Sequence, residues 1–152
     1  MEKKKILMSI NTKYSRKIFK GTKLWEFRKA IPRIEETDEL EVVVYSSQEE
    51  KAIVGSFKAG QILRCSLDEL MEKTGYSDDS DAVEWFSAYY GDRKICSAIE
   101  VIEPIEYEKP ITLNEIREVI PSFRPPQNFV YITSESNLEE VLEPFEVGEV
   151  GE

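Results

Sequence analysis

Apolar positions along the chain fall in short runs whose period switches between two and about 3.6 residues, the mark of alternating strands and helices. In Ile6–Ile10, Ile6, Met8 and Ile10 alternate with Leu7 and Ser9, so this strand has apolar neighbours on both faces. Thr12 to Lys20 reads as a helix, with Asn11 or Thr12 as its cap. Within it Tyr14 and Ile18 lie four apart and face the core, with Phe19 beside them. Gly21 follows directly, where a glycine can take the left-handed conformation that closes a helix. Lys23 to Lys29 alternate aromatic and charged residues, which predicts a strand. Trp25 and Phe27 then share one face, while Glu26 and Arg28 present an acid and a base on the other. Strict alternation puts Lys23 on the Trp25 face. It reaches the Glu26 side only from within the turn or across a bulge.

The remainder continues in short elements. Ala30 to Glu39 is a connection broken at Pro32. Leu40 to Ser46 is a strand, and Ser47 to Lys51 a polar turn. Ala52 to Cys65 is a hairpin or one long bent strand, with Gly55 and Gly60 at its irregular points. Ser66 caps Leu67–Lys73 and forms a capping box with Glu69; Gly75 ends that helix. Asp79 or Ser80 opens Asp81–Tyr90, with Val83, Phe86 and Tyr90 on one face and Trp85 and Tyr89 beside it. Gly91 closes it. Ile95–Ile102 is expected as a central strand ended by Pro104. Thr112 caps Leu113–Val119, prolines 121, 125 and 126 mark an extended loop, Asn128–Thr133 is the last strand, and Ser136 caps Asn137–Leu142. Such interleaving predicts an α+β fold, a small mixed barrel, rather than a doubly wound parallel sheet with long crossover helices. Residues 1–142 are expected to form a single domain, and the Glu-rich 143–152 a mobile tail.

Charge changes the picture. The chain carries a net charge of −10, which by itself argues against a nucleic-acid partner. Yet residues 1–33 hold eleven Lys/Arg against two acids, a balance of +9, while residues 34–152 hold nine against 28, a balance of −19. A basic patch can act locally within an acidic protein. Lys13, Arg16, Lys17 and Lys20 follow helical spacing and form one basic stripe. The helix dipole favours cations in the last turn and disfavours Lys13 in the first, so it does not explain the whole stripe, and phosphate contact is one candidate for the rest. The competing reading is a solvated face paired with acids folded over it. No apolar run approaches the roughly 20 residues that span a bilayer, and Ile6–Ile10 is too short for a signal-peptide core. A cytoplasmic protein with no membrane partner is therefore expected.

Histidine is absent, which excludes a Ser-His-Asp triad, a Cys-His pair and histidine metal sites. Cys65 and Cys96 lack metal-ligand spacing and read as reduced, buried thiols. The sequence asks for neither a metal nor a cofactor. Chemistry must come from Lys, Glu, Asp, Tyr, Ser or Thr. Arg28 can make forked bonds to a phosphate or a base edge, and Lys23 supplies a point charge or a base. Glu26 can accept from a nucleobase amino group or relay a proton. The bland alternative is an ion pair of Glu26 with Arg28 or Lys23 that satisfies itself. Ser46, Ser47 and Gln127 offer hydroxyl and amide groups for a pocket or for turn caps. Among the aromatics, Phe123, Phe129 and Tyr131 flank the proline-rich loop and are the better candidates for stacking on a base.

Gly21-Thr22-Lys23-Leu24-Trp25-Glu26-Phe27-Arg28 reads G-x-K-x-x-E-x-R, which resembles the signature of the ASCH family, a branch of the PUA-like fold. Ile6–Ile10, Tyr14–Lys20, Val43–Ser47 and Ile53–Phe57 resemble the family's flanking strands and first helix. Pro125–Tyr131 resembles its proline-glutamine-aromatic segment. The resemblance spans residues 5–133. It implies a PUA-like pseudobarrel and a module that binds RNA or a single modified or unpaired base, with Lys23, Glu26 and Arg28 in the cleft and the Lys13, Arg16, Lys17, Lys20 helix on the backbone. Ser46, Gln127 and Phe129 complete the expected base-binding set. A relative within the group hydrolyses N4-acetylcytidine, using the signature lysine, a threonine where this chain has Glu26, and a later glutamate. Lys23 is retained here and Glu26 is a departure. The second reading is therefore a metal-free amidohydrolase on such nucleosides, with Lys23 and Glu26 catalytic. A third is a regulatory protein-interaction domain, which calls for an exposed apolar patch instead of a cleft.

Overall fold

The structure, a computed structural model, describes residues 3–33 and 38–142; the acidic tail expected at 143–152 lies outside the described residues. The elements run β1 (Lys3–Asn11), α1 (Thr12–Phe19), β2 (Trp25–Arg28), β3 (Glu39–Ser47), β4 (Ala52–Cys65), α2 (Leu67–Thr74), α3 (Ser80–Tyr90), β5 (Cys96–Thr112), α4 (Leu113–Val119) and β6 (Phe129–Tyr131). A last helical turn covers 138–142. The strands form one sheet in the order β2-β5-β4-β3-β1-β6. β1 and β3 are parallel, paired from Lys3 and Glu39 through to Asn11 and Ser47. Every other neighbouring pair is antiparallel.

The continuous apolar run in β1 has a direct packing cause. Leu7 points to one face, into a core with Val43, Tyr45, Ile53 and the residues of α4 and the last turn. Ile6, Met8 and Ile10 point to the other, where Ile18 of α1 and Phe57 cover them. A strand covered on both faces does not alternate apolar with polar. A third core lies under α2 and α3, where Leu70, Met71, Phe86 and Tyr90 meet the ends of β4 and β5, with Trp25 and Phe27 packed against them.

Ala52–Cys65 is one long strand, one of the two forms expected. Two findings differ from the sequence reading. β5 does not stop at Pro104 but continues to Thr112. Glu103 takes a positive φ of 47°, and the β4–β5 register skips between Ser56 and Lys58 at that point. Pro104 therefore sits in a bulge, where its missing N–H costs no ladder bond. Three such shifts along β4–β5 curl the sheet into a half barrel, the expected mixed α+β pseudobarrel. The second difference is smaller. Ser66 Oγ accepts from the Glu69 backbone N–H at α2, but among the described residues both halves of a capping box are present only at α4, between Thr112 and Glu115.

Gly55 is required by a close approach. A Cβ there would collide with the Ile105 carbonyl oxygen and stand 2.7 Å from the Phe19 ring, so α1 seats on β4 only because the position is bare. Gly55→Ala should therefore destabilise the fold by about 1–3 kcal/mol through overpacking. Urea unfolding checks this; an unchanged midpoint would show that α1 does not depend on the contact.

Candidate functional site

The site begins with how α1 ends. Gly21 takes a left-handed φ of 80°. The Thr22 and Lys23 backbone N–H groups then both turn back to the Lys17 carbonyl, at 3.0 and 3.2 Å. This turn precedes β2, so Lys23 is free of the strand's alternation. Its ammonium reaches Glu26 Oε1 at 3.0 Å and also donates to the Trp25 carbonyl oxygen. The question of phase left by the sequence is resolved by the turn, without a bulge.

Glu26 is 5% exposed. Its second oxygen, Oε2, accepts from Arg28 Nε at 2.7 Å. A buried carboxylate thus lies between two cations, a group carrying a net single positive charge. Arg28 is committed elsewhere as well. Nη1 donates to Asn128 Oδ1 at 3.0 Å, and Nη2 to the Ser9 carbonyl oxygen. Asn128 in turn donates from Nδ2 to the Ala30 carbonyl oxygen at 2.9 Å. Arg28 therefore ties β2 to β1 and to the entry of β6, and its guanidinium is occupied by protein on all three nitrogens. The face on which alternation puts an acid and a base side by side is an ion-pair network, the alternative in which Glu26 pairs with Arg28 and Lys23.

All four residues of the edge strand β2 border a cleft of ≈ 630 Å³ between α1 and α3. Lys13, Tyr14 and Lys17 form the α1 wall, and Trp85, Phe86 and Tyr89 of α3, with Tyr76, form the opposite one. Four cations line this space (Lys13, Lys17, Lys23, Arg28) against one carboxylate, Glu26. A second cavity of ≈ 850 Å³ at the other end of the sheet is larger but mixes Lys3, Lys4, Lys5 and Lys58 with Asp38, Glu39, Glu41 and Glu139. Lys4–Asp38 and Lys5–Glu41 already pair there, at 3.4 and 4.0 Å. An anion gains more from the cleft than from the larger cavity.

The aromatic wall is a stack. Trp85 is 48% exposed, lies nearly parallel to Tyr89 with ring centroids 5.2 Å apart, and meets Phe86 edge-on at 5.0 Å. The Tyr89 hydroxyl sits 3.4 Å from the Phe27 carbonyl oxygen, and Lys29 lies over its ring at 5.0 Å. Burial pushes the Tyr89 hydroxyl above its ordinary pKa; the Arg28 charge opposes this and the Glu26 charge adds to it. It is a neutral phenol at physiological pH. On the other wall Lys13, Lys17 and Lys23 each approach the Tyr14 ring, at 5.7–5.9 Å.

The remaining sequence candidates are distributed differently from the expectation. The basic stripe is split. Lys13 and Lys17 line the cleft, whereas Arg16 pairs with Glu49 at 3.4 Å and approaches Glu50 at 4.0 Å, and exposed Lys20 stands outside the lining. Ser46 does not line the cleft either. It is fully buried, donating to Glu50 Oε1 at 2.8 Å and bonded to Ser15 Oγ at 2.8 Å. Thr12 joins this cluster through the Ser47 carbonyl and the Glu50 N–H. Its effect is to anchor the start of α1 to the end of β3, which aims Lys13 and Lys17. Gln127 is exposed and does not line the cleft, and its neighbour Asn128 makes the contact with Arg28. Phe129 packs into the core around Ile6 and Met8, Phe123 is buried beside Tyr45, and exposed Tyr131 lines the larger cavity. Sequence reasoning missed Asn128 and undervalued α3, whose Trp85 and Tyr89 it had placed beside the core face.

No family model matches the sequence, and no curated protein matches it. Solved structures do. The ASCH protein of Zymomonas mobilis superposes with a TM-score of 0.73 at 21% identity over 90% of this chain and 93% of that one. A single-residue variant of the same protein gives 0.75 at 20% identity, over 90% and 94%. The N-terminal domain of McrB from Staphylothermus marinus gives 0.58 at 14% identity, over 94% and 93%. The chain has the ASCH fold that its signature segment implied. Among the described residues no helix is long and apolar enough to cross a membrane.

Removing one partner from a buried charge pair costs about 3–5 kcal/mol, because the other is left uncompensated. Glu26→Gln should destabilise the protein by an amount in that range. Arg28→Ala should cost more than Lys23→Ala, since it also frees the Ser9 carbonyl and Asn128. Urea unfolding of the three variants checks the order; an equal or reversed effect of the two cations would show that Arg28 does not tie the strands.

Proposed function

We propose that this ASCH-fold chain is a nucleic-acid-binding module whose cleft takes a single nucleotide or an unpaired base of RNA. The observation that carries the reading is the cleft's makeup: four cations facing one already-paired carboxylate, within a chain of net charge −10, beside a half-exposed aromatic stack. Phosphate meets Lys13 and Lys17, whose ammonium groups form no salt bridge with an acid among the described residues. The base lies against Trp85 and Tyr89, because every base has a face for stacking and single-stranded RNA is read largely in this way. Lys23 keeps one N–H beyond the two it gives to Glu26 and Trp25, enough for one bond to a base carbonyl or a phosphate oxygen. Arg28 is a positioning residue here, not a ligand.

The amidohydrolase reading has one observation in its favour. Lys23 and Glu26 stand 3.0 Å apart at the border of the cleft, a spacing that permits proton relay. Incubation with N4-acetylcytidine, followed by ultraviolet absorbance, separates the two readings. Turnover that Lys23→Ala abolishes would replace binding with catalysis as the activity.

Two substitutions test the binding reading by fluorescence anisotropy with a labelled single-stranded RNA across a salt series. Lys17→Glu should weaken binding and flatten the log–log salt slope by about 0.7 for each phosphate that is no longer neutralised. Trp85→Ala should cost about 1–3 kcal/mol of affinity, the usual worth of one stacked base, with the salt slope unchanged. Equal affinities and slopes for wild type and both variants would refute the assignment of the cleft.

A further inference from the structure

The two cysteines stand at a structurally singular place. β4 ends at Cys65 and β5 begins at Cys96. Everything between them, residues 66–95, is the excursion that carries α2 and α3 away from the sheet and back. Cys65 and Cys96 are direct partners in the antiparallel β4–β5 register, and so form the last rung before the chain leaves the sheet. They are the chain's two cysteines, both are free thiols, and Cys96 belongs to the core beneath the helices while Cys65 packs against it.

We propose that Cys65 and Cys96 form a redox clasp, closing to a cross-strand disulfide at the neck of the α2–α3 excursion when they meet a small-molecule disulfide. Opposed residues of an antiparallel pair have Cα atoms about 4.5–5.5 Å apart and side chains on one face. That lies inside the ~4.4–6.8 Å that a disulfide spans. Access sets the order of events. Cys65 is half-buried while Cys96 is fully buried, so the Cys65 thiolate attacks the external disulfide RSSR. An S–S bond forms to Cys65 and one RS⁻ departs. The Cys96 thiolate then displaces the second RS⁻ and forms the Cys65–Cys96 bond. The two cysteine protons end on the two departing thiolates, and RSSR takes the two electrons. Burial pushes both thiols above their ordinary pKa; Glu69 adds to the shift at Cys65 while Lys73 opposes it, and Arg93 opposes it at Cys96. The pair therefore rests as dithiol and needs mildly alkaline conditions to react quickly.

The excursion held by this clasp carries Tyr76, Trp85, Phe86 and Tyr89, the aromatic wall of the cleft. A bond across its base removes the openings in which helices and sheet part at the neck. This inference does not depend on what the cleft binds.

The test uses the full chain, incubated with excess oxidised glutathione at mildly alkaline pH. Intact mass and thiol alkylation under denaturing conditions then report the cysteines. The expected product is a monomer that has lost two hydrogens, carries no glutathione and has no alkylatable thiol. Limited trypsin cleavage at Lys73, Arg93 and Lys94 should then slow by about tenfold relative to the reduced protein, reflecting fewer openings of the excursion. Cys65→Ser should show no intramolecular disulfide and the same cleavage rate in both conditions. A stable glutathione adduct, a disulfide-linked dimer or two persistent thiols would overturn the clasp. So would a disulfide that leaves cleavage unchanged, or slowed cleavage of Cys65→Ser after the same treatment.

Discussion

The carboxylate of Glu26, buried between Lys23 and Arg28, is the interaction on which the rest of the site depends. An unpaired charge at that depth would be costly to bury; paired with two cations it is a cross-brace. Through Lys23 it fixes the turn that follows α1. Through Arg28 it reaches the Ser9 carbonyl and Asn128, and so couples the β2 edge to the opposite end of a six-stranded sheet. One anion thereby joins segments that lie far apart in sequence. Because it is matched by two cations, the brace leaves a surplus positive charge facing the cleft.

This separates two roles that a linear reading merges. G-x-K-x-x-E-x-R looks like a set of ligand-binding side chains, yet most of its polar capacity is spent inside the protein. In the proposed reading, what remains for a ligand comes from elsewhere: Lys13 and Lys17 on α1, whose start is held by the buried Thr12, Ser15 and Ser46 together with Glu50, and the aromatic stack on α3. In that reading the signature builds the frame, and its neighbours supply the contacts. The larger cavity at the far end of the sheet has matched charges, whereas the cleft has a surplus of cations.

Much of the fold was legible because its signals are local. Asn11 and Asp79 cap the helices they were expected to cap or flank, and Gly75 closes α2 in the left-handed conformation. Gly21, Trp25 and Glu26 fall where alternation and turn chemistry put them. What was not legible depends on contacts distant in sequence. Pro104 reads as a strand end, and only the β4 register reveals the bulge that accommodates it. Arg28 reads as a phosphate fork or as a partner of Glu26, and only the Ser9 carbonyl and Asn128, a hundred residues away, show both of its terminal nitrogens to be occupied. Helical spacing gives Lys13, Arg16, Lys17 and Lys20 one face, but Glu49 and Glu50 on the β3–β4 turn draw Arg16 out of it. Trp85 and Tyr89 follow the periodicity of a core helix; nothing local distinguishes a residue beside a core from one beside a cleft.

The central claim is that the brace holds a preformed cationic cleft in which a nucleotide is bound by α1 and α3 together. Nuclear magnetic resonance of the isotopically labelled chain, titrated with a short single-stranded RNA, tests it most directly. The account predicts saturable shifts at Lys13, Lys17 and Lys23 and at the Trp85 indole N–H, while the signals of Lys3, Lys4 and Lys58 at the larger cavity stay in place. Shifts confined to the larger cavity, or none at saturating RNA, would contradict it.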